Sequence, residues 1–366
     1  MTDFDHNCFQ SSYHAARQCL LDAVSLYASN LMQHYHPVKH PLLGPGAQPL
    51  FVDWFELGQV PNPENLIVLI SGTHGVEGFA GSAIQCSVLP TVVDMLRNQD
   101  ELGFVIIHAF NPWGFAWLRR YDHEGIDLNR NFIDFERELP QNPIYNDIHD
   151  DLFANASEPL ARVLSRWQDK LGESRFQTAI TQGQYQHQDG LFYGGIGPSW
   201  SRKTLEKLCD NESLRNARRI AVIDLHTGLG PYGYGEVIND HEPDSAGFNW
   251  ATSWYGDEAK SALLGQSYSP PKTGLLDFFW HQLIGDRGCF VTLEFGTFPL
   301  DDLLLLTCRE QRYHNSYGED LRRRNIHHDS VVALQNFFYP RDEKWQSLIL
   351  NRAHLILELA RQGVTR

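Results

Sequence analysis

The chain has 366 residues, enough for one large α/β domain or two smaller ones. Its 42% hydrophobic and 20% charged content is that of a globular protein, and no apolar run approaches the roughly 20 residues that a membrane helix needs. A formal net charge of −15 argues against a nucleic-acid partner, because binding phosphates needs a basic surface.

The opening stretch, MTDFDHNCFQSSYHAARQ, has acids and no basic-then-apolar order. No signal peptide is expected, and the cytoplasm is the expected location. The six cysteines (Cys8, Cys19, Cys86, Cys209, Cys289 and Cys308) are scattered without a CxxC pair. They read as reduced, mostly buried thiols.

In chain order, residues 11–34 have helical spacing, PLFVDWFELG reads as a strand, and NLIVLISG reads as a buried one. GFAGSAIQCSVLPTVVDMLRN then reads as a helix and GFVIIHAFN as a strand. Residues 110–150 look irregular, rich in Asn, Asp, Pro and Gly, while 156–185 and 199–218 look helical. RRIAVIDLHTG is another buried strand and GCFVTLEFGT a later one; the C-terminal quarter is helical. Short, β-branched strands after residue 60 alternate with helices, which predicts a mostly parallel sheet covered on both faces. There is no repeat, low-complexity tract or linker. A single domain over 1–366 is expected, with an insertion or lid within 133–218.

Three of these strands end in unusual polar residues. LISGTHGVE carries His74 and Glu77, AVIDLHTG carries Asp224 and His226, and FVTLEFGT carries Glu294. In an open α/β sheet, ligands bind outside the carboxyl ends of the strands, so the three endings predict one convergent site. Two histidines and a carboxylate are the ligand set of a hydrolytic zinc site with an open position. His74, Glu77 and His226 are therefore candidate metal ligands. Glu294, in an apolar strand where an unpaired charge is expensive, is the candidate general base. Gly75 and Gly228 beside the histidines suit the tight turns that aim them.

A fourth segment, NPWGFAWLRRYDHEGIDLNRNF (residues 111–132), follows the FVIIHAF strand. With it, the order His74, Glu77, Asn129-Arg130, His226, Glu294 resembles that of the zinc metallocarboxypeptidase superfamily, including its aspartoacylase and succinylglutamate desuccinylase branch. The resemblance runs from about residue 66 to 297. It implies an α/β fold with a mixed, mostly parallel sheet of about eight strands between helices. It implies one zinc ion on His74, Glu77 and His226, with room left for a second metal, and Glu294 as base and proton shuttle. It further implies Asn129 and Arg130 as the clamp for a substrate carboxylate, which suits the guanidinium fork. Asp127 would hydrogen-bond the first zinc histidine, and Arg120, with Arg119 adjacent, would stabilise the oxyanion. The mobile tyrosine of digestive carboxypeptidases has no clear counterpart; Tyr232 and Tyr234 in GPYGYGEV are the candidates, and Tyr234 is assigned to substrate binding. DGLFYGGIGPSWS fits neither well-known branch and is similar to a carboxypeptidase-like branch without an established substrate.

The function so implied is zinc-dependent hydrolysis of an amide bond near a carboxylate on a peptide or small-molecule substrate, carboxypeptidase-like in its first form. Deacylation of an N-acyl amino acid is the alternative within hydrolases. A zinc-binding module without catalysis is the alternative outside them. No membrane partner is expected.

Overall fold

The computed structural model describes residues 6–154, 158–270, 272–318 and 324–366. Chain order gives α1 (Tyr13–Ala23), β1 (Met32–Leu43), β2 (Pro49–Gly58), β3 (Asn65–Ser71), α2 (Gly78–Asn98), β4 (Leu102–His108) and α3 (Pro112–Trp117). Next come α4 (Pro143–His149), α5 (Leu160–Leu171), α6 (Glu173–Thr181), α7 (Trp200–Leu208), α8 (Glu212–Asn216), β5 (Arg219–Gly228) and β6 (Gly235–Asn239). The chain continues with α9 (Ala246–Tyr255), β7 (Ala259–Ser261), α10 (Leu276–Ile284), β8 (Gly288–Gly296), α11 (Leu300–Asn315), α12 (Asp329–Phe338) and α13 (Glu343–Val364).

The eight strands form one sheet in the order β1-β2-β4-β3-β5-β8-β6-β7. The central run β4-β3-β5-β8 is parallel; β1, β2 and β6 pair antiparallel with their inner neighbours. Every residue of β3 is buried, because helices cover both faces. The two-residue side-chain period divides the central strands between two cores. Ile67, Leu69, Phe104, Ile223 and Val291 pack with α1, α2 and α13. Leu66, Val68, Val105, Val222 and Phe290 pack on the opposite face with α7, α8 and α10. A third cluster joins α4, α5 and α6 to Tyr121 and to Cys308 of α11.

Residues 133–218, expected as an insertion or lid, thus divide in two. The part through α6 builds the third cluster, whereas α7 and α8 cover the sheet itself. The α2 helix is long and apolar enough to cross a membrane, yet 78% of its apolar window is buried, as a helix flanked by core requires. None of the six cysteines forms a disulfide.

The N-terminal helix is shorter than its spacing predicts. It ends regularly at Ala23, widens into a single π-type turn at Val24–Ala28, and gives way to β1 from Met32. As an edge strand, β1 accommodates Pro37 and Pro41, which a central strand would not.

Candidate metal centre

Strand β3 continues through α2 to β4 on one side of the sheet, while β5 has β8 on its other side. The gap between the ends of β3 and β5 is therefore a topological switch point, where a crevice forms above the sheet. His74 follows β3, His226 lies near the end of β5, and Glu294 is its register partner on β8.

The HxxE spacing is explained by the turn that carries it. His74 precedes a 3₁₀ turn, Gly75–Glu77, that leads into α2. Residues three apart eclipse one another on such a turn, so His74 and Glu77 share a face. The turn is pinned from outside: the Gly75 and Val76 amides donate to the Arg120 and Arg119 carbonyls at 3.2 and 2.8 Å. A Cβ on Gly75 would stand 2.1 Å from the Gly114 carbonyl carbon, so only glycine allows this approach. Gly228, at φ 138°, ends the His226 strand in a conformation that side chains rarely adopt.

The three side chains converge. His74 Nδ1 lies 2.8 Å from Glu77 Oε1, and His226 Nδ1 lies 3.0 Å from Glu77 Oε2 and 3.1 Å from His74 Nδ1. The two rings meet at 67°, so their in-plane lone pairs can point at one spot. The outward nitrogens have their own partners. His226 Nε2 faces Asp224 Oδ2 at 2.6 Å, and His74 Nε2 faces Asp127 Oδ1 at 3.2 Å. If those carboxylates hold the ring protons, both Nδ1 atoms and both Glu77 oxygens are left as acceptors facing one another, which a metal cation, or an added ring proton on His226, relieves. Separations near 3 Å match the edge of a small tetrahedral ion with bonds of roughly 2.0–2.1 Å, for which about 3.3 Å is expected. The residues therefore fit a zinc-type ion.

His74 Nε2 also has Arg120 Nη2 at 2.7 Å. That contact would suit the opposite tautomer, with the proton on Nδ1. The Asp127 pairing is the arrangement compatible with a metal on Nδ1.

A second grouping, His149, His187 and Asp189, also brings ligand atoms together. Its imidazoles, however, are stacked at 3.8 Å and 21°. Parallel rings aim their lone pairs in parallel and cannot converge on one ion.

Electrostatics follow from this packing. Burial pushes the Glu77 carboxyl up, but the His74 and His226 rings outweigh it and hold Glu77 well below the usual range. Burial works against charge on His226, yet Asp224 and Glu77 raise it well above the ordinary value. For Asp127, burial is outweighed by Arg120 and His74, and the carboxyl is held low. Glu294 is different: burial, with the Glu77 charge added, pushes it up to about 7. Its Oε1 accepts from the Leu229 amide at 3.0 Å.

A cavity of about 350 Å³ opens on these residues. His74, Glu77, Arg120, Arg130, His226 and Glu294 form its polar wall. Leu164, Phe176, Ile180 and Phe192, from α5, α6 and the following loop, form an apolar wall. Arg120 faces this cavity, whereas Arg119 turns away and pairs with Glu310 at 3.1 Å. Arg120 braces the ligand set: Nε donates to Asp127 Oδ2 at 2.9 Å and Nη1 to Glu77 Oε1 at 3.2 Å. Asn129 lines the cavity while its Oδ1 accepts from the Leu276 amide at 2.9 Å. The Arg130 guanidinium, 1% exposed, donates to the backbone oxygens of Thr181 and Asn129 and lies over the Phe192 ring.

The structure does not bring Tyr234 to the cavity. Its ring is covered by Arg352 at 5.2 Å, and the Tyr232 hydroxyl bonds Asp342. The tyrosine that lines the cavity is Tyr268. Asp224 is the residue whose role the strand-end reading passed over. A signal for it existed, since Asp224 and His226 are two apart on one strand and so share a face. Thr73 Oγ1 in turn donates to Asp224 at 2.9 Å.

The fold has counterparts among solved structures. A structure of thrombin activatable fibrinolysis inhibitor superposes with a TM-score of 0.54 at 13% identity, covering 98% of this chain and 76% of that one. Carboxypeptidase A from Helicoverpa armigera gives 0.49 at 11%, covering 97% and 75%. Succinylglutamate desuccinylase from Chromobacterium violaceum gives 0.37 at 17%, covering 88% and 74%. A comparison with curated protein sequences gives no match. The fold is carboxypeptidase-like. The sequence model described as "Protein of unknown function (DUF2817)" matches residues 9–352, and the chain belongs to that family.

Proposed function

We propose that the protein is a zinc-dependent hydrolase that cleaves an amide bond near a substrate carboxylate, in a carboxypeptidase-like reaction. The observation that carries this reading is the convergence of His74 Nδ1, Glu77 and His226 Nδ1 at about 3 Å on the wall that holds Glu294. When bound, zinc would polarise a carbonyl and lower the pKa of a water. Asp224 and Asp127 hold protons on the far nitrogens of the two histidines and keep the near nitrogens available. With Oε1 engaged by the Leu229 amide, Glu294 has Oε2 to take a proton from the attacking water and return it to the departing amine. Arg130 supplies positive charge for the substrate carboxylate, and Asn129 offers its amide nitrogen beside it. Arg120 serves the Glu77 and Asp127 carboxylates; acting on an oxyanion as well would require it to exchange one of those bonds.

The apolar wall of Leu164, Phe176, Ile180 and Phe192 favours a second reading, release of an apolar acyl group from an amino acid. An open cavity at the Glu294 wall weighs against a purely structural metal site. The zinc-loaded protein should be assayed with dipeptides and N-acyl amino acids, each with a free carboxylate and blocked as the amide. Turnover confined to free carboxylates, and lost in Glu294→Gln without loss of metal, is the expected result. Equal turnover of blocked and free substrates, or full activity in Glu294→Gln, would refute the proposal.

A further inference from the structure

Two cations line the cavity without an ion-pair partner among the described residues. Arg130 is the first: its guanidinium touches only carbonyl oxygens and the Phe192 ring, and it pairs with no carboxylate among the described residues. Lys272 is the second. It lines the same cavity, its ammonium has Ser269 Oγ as its only hydrogen-bond partner among the described residues, and it too forms no ion pair there.

The two are brought together by the backbone. The loop that carries Lys272 crosses directly over the segment that carries Arg130. A Cβ on Gly274 would stand 2.4 Å from the Arg130 carbonyl oxygen. The Phe132 amide donates to the Gly274 carbonyl at 3.0 Å, and the Leu276 amide donates to Asn129 Oδ1 at 2.9 Å. Thr273 Oγ1 reaches the Gln182 carbonyl, next to the Thr181 carbonyl that anchors Arg130.

Two like charges that share one cavity are unfavourable unless an anion joins them. Asp240, Asp277 and Glu294 share the cavity wall, but none forms an ion pair with either cation among the described residues; burial lifts Asp240 above its ordinary range and Asp277 well above it. Lys272 responds to its surroundings in the matching sense. Burial first, and then the Arg130 charge, bring its ammonium down to about 8.

We propose that Lys272 is a substrate-binding residue that shares a carboxylate of the ligand with Arg130. The guanidinium edge is already committed to the Thr181 carbonyl, so it offers only part of its fork. The ammonium has two further N–H groups to complete the grip. This deepens the proposed function and rests on it for the placement of a substrate carboxylate, but binding can be read without turnover.

The test uses the full-length, zinc-loaded protein and acetate as the simplest carboxylate, with acetamide as its neutral isostere at matched ionic strength. Thermal unfolding is followed in wild type, Lys272→Met, Lys272→Gln and Lys272→Arg. Acetate should stabilise wild type more than acetamide does. The two neutral variants should bind acetate about ten-fold more weakly or worse, while Lys272→Arg keeps most of the effect. Without acetate, the neutral variants should be at least as stable as wild type, because one of two like charges in the cavity has been removed. No difference between acetate and acetamide in wild type, an undiminished acetate response in both neutral variants, or neutral variants that are markedly less stable would each overturn the assignment. An acetate response that depends on Lys272 in a protein that hydrolyses none of the amides would leave this inference standing and defeat the hydrolase reading. Turnover of free-carboxylate substrates that ignores Lys272 would do the reverse.

Discussion

At the scale of single residues, the metal centre depends on carboxylates that do not belong to the ligand set. Asp224 stands 2.6 Å from His226 Nε2, is itself fully buried, and is fixed by Thr73 Oγ1. It decides which nitrogen of His226 carries the proton, and hence whether Nδ1 can act as a ligand. Asp224→Asn keeps the shape but turns an acceptor into a group that can present a donor. Metal affinity should fall roughly 10- to 100-fold, measured by competition with a chelator of known strength. An unchanged affinity would mean that the Glu77 carboxylate alone orients the ring.

At the scale of elements, the site is a turn and two strand ends held in register. Gly75 is where this can be broken without touching a ligand. A methyl group there meets the backbone of Gly114 and Phe115 at 2.1 and 2.2 Å, and neither can swing aside. Gly75→Ala should cost about 3 kcal/mol in urea unfolding and loosen the turn that aligns His74 with Glu77. Gly197 has open space around it, so Gly197→Ala should stay within about 0.5 kcal/mol of wild type. The same elements show what a sequence makes legible. β3, β5 and β8 were readable because a strand buried on both faces is a continuous apolar run, and the polar residues that close such runs mark the site. The α2 helix matched its predicted span from Gly78 to Asn98. By contrast, β1 is an exposed edge with two prolines and three histidines, and carries almost no apolar period. β6 and β7 are five and three residues long, too short for a pattern to accumulate. Arg130 and Lys272 illustrate the limit at the site itself. Their residue types are visible in the chain, but the loop crossing that puts them together is a tertiary fact.

For the molecule as a whole, buried neutral histidines set a lower pH limit on stability. His40 is 2% exposed and its Nδ1 accepts from the Leu42 amide; His241 is 4% exposed and its Nε2 accepts from the Phe290 amide at 3.0 Å. Burial, joined for His40 by the nearby His123, brings both down to about 4. His281, stacked on His241 at 3.6 Å, is brought down to about 3 by burial and by His241. In the unfolded chain these rings take up protons near 6.5, and in the folded chain only near 4 or below. Their contribution is therefore complete above pH 6.5 and is lost as the pH falls toward 4, on the order of 3 kcal/mol for each fully buried ring. Urea unfolding should show stability falling steadily between pH 6.5 and 4, with a smaller slope in His241→Gln. A profile flat across that window would show that these rings are solvated in the native state.

The claim on which the rest depends is that one divalent ion sits between His74, Glu77 and His226, three described residues whose ligand atoms converge at about 3 Å. The most direct measurement is the metal content of purified wild type, Glu294→Gln and His226→Ala after dialysis against a weak chelator. The account predicts a single tightly held ion per chain in wild type and in Glu294→Gln, and its loss in His226→Ala. A His226→Ala protein that stays folded and keeps a tight ion, or a Glu294→Gln protein that loses it, would contradict the account.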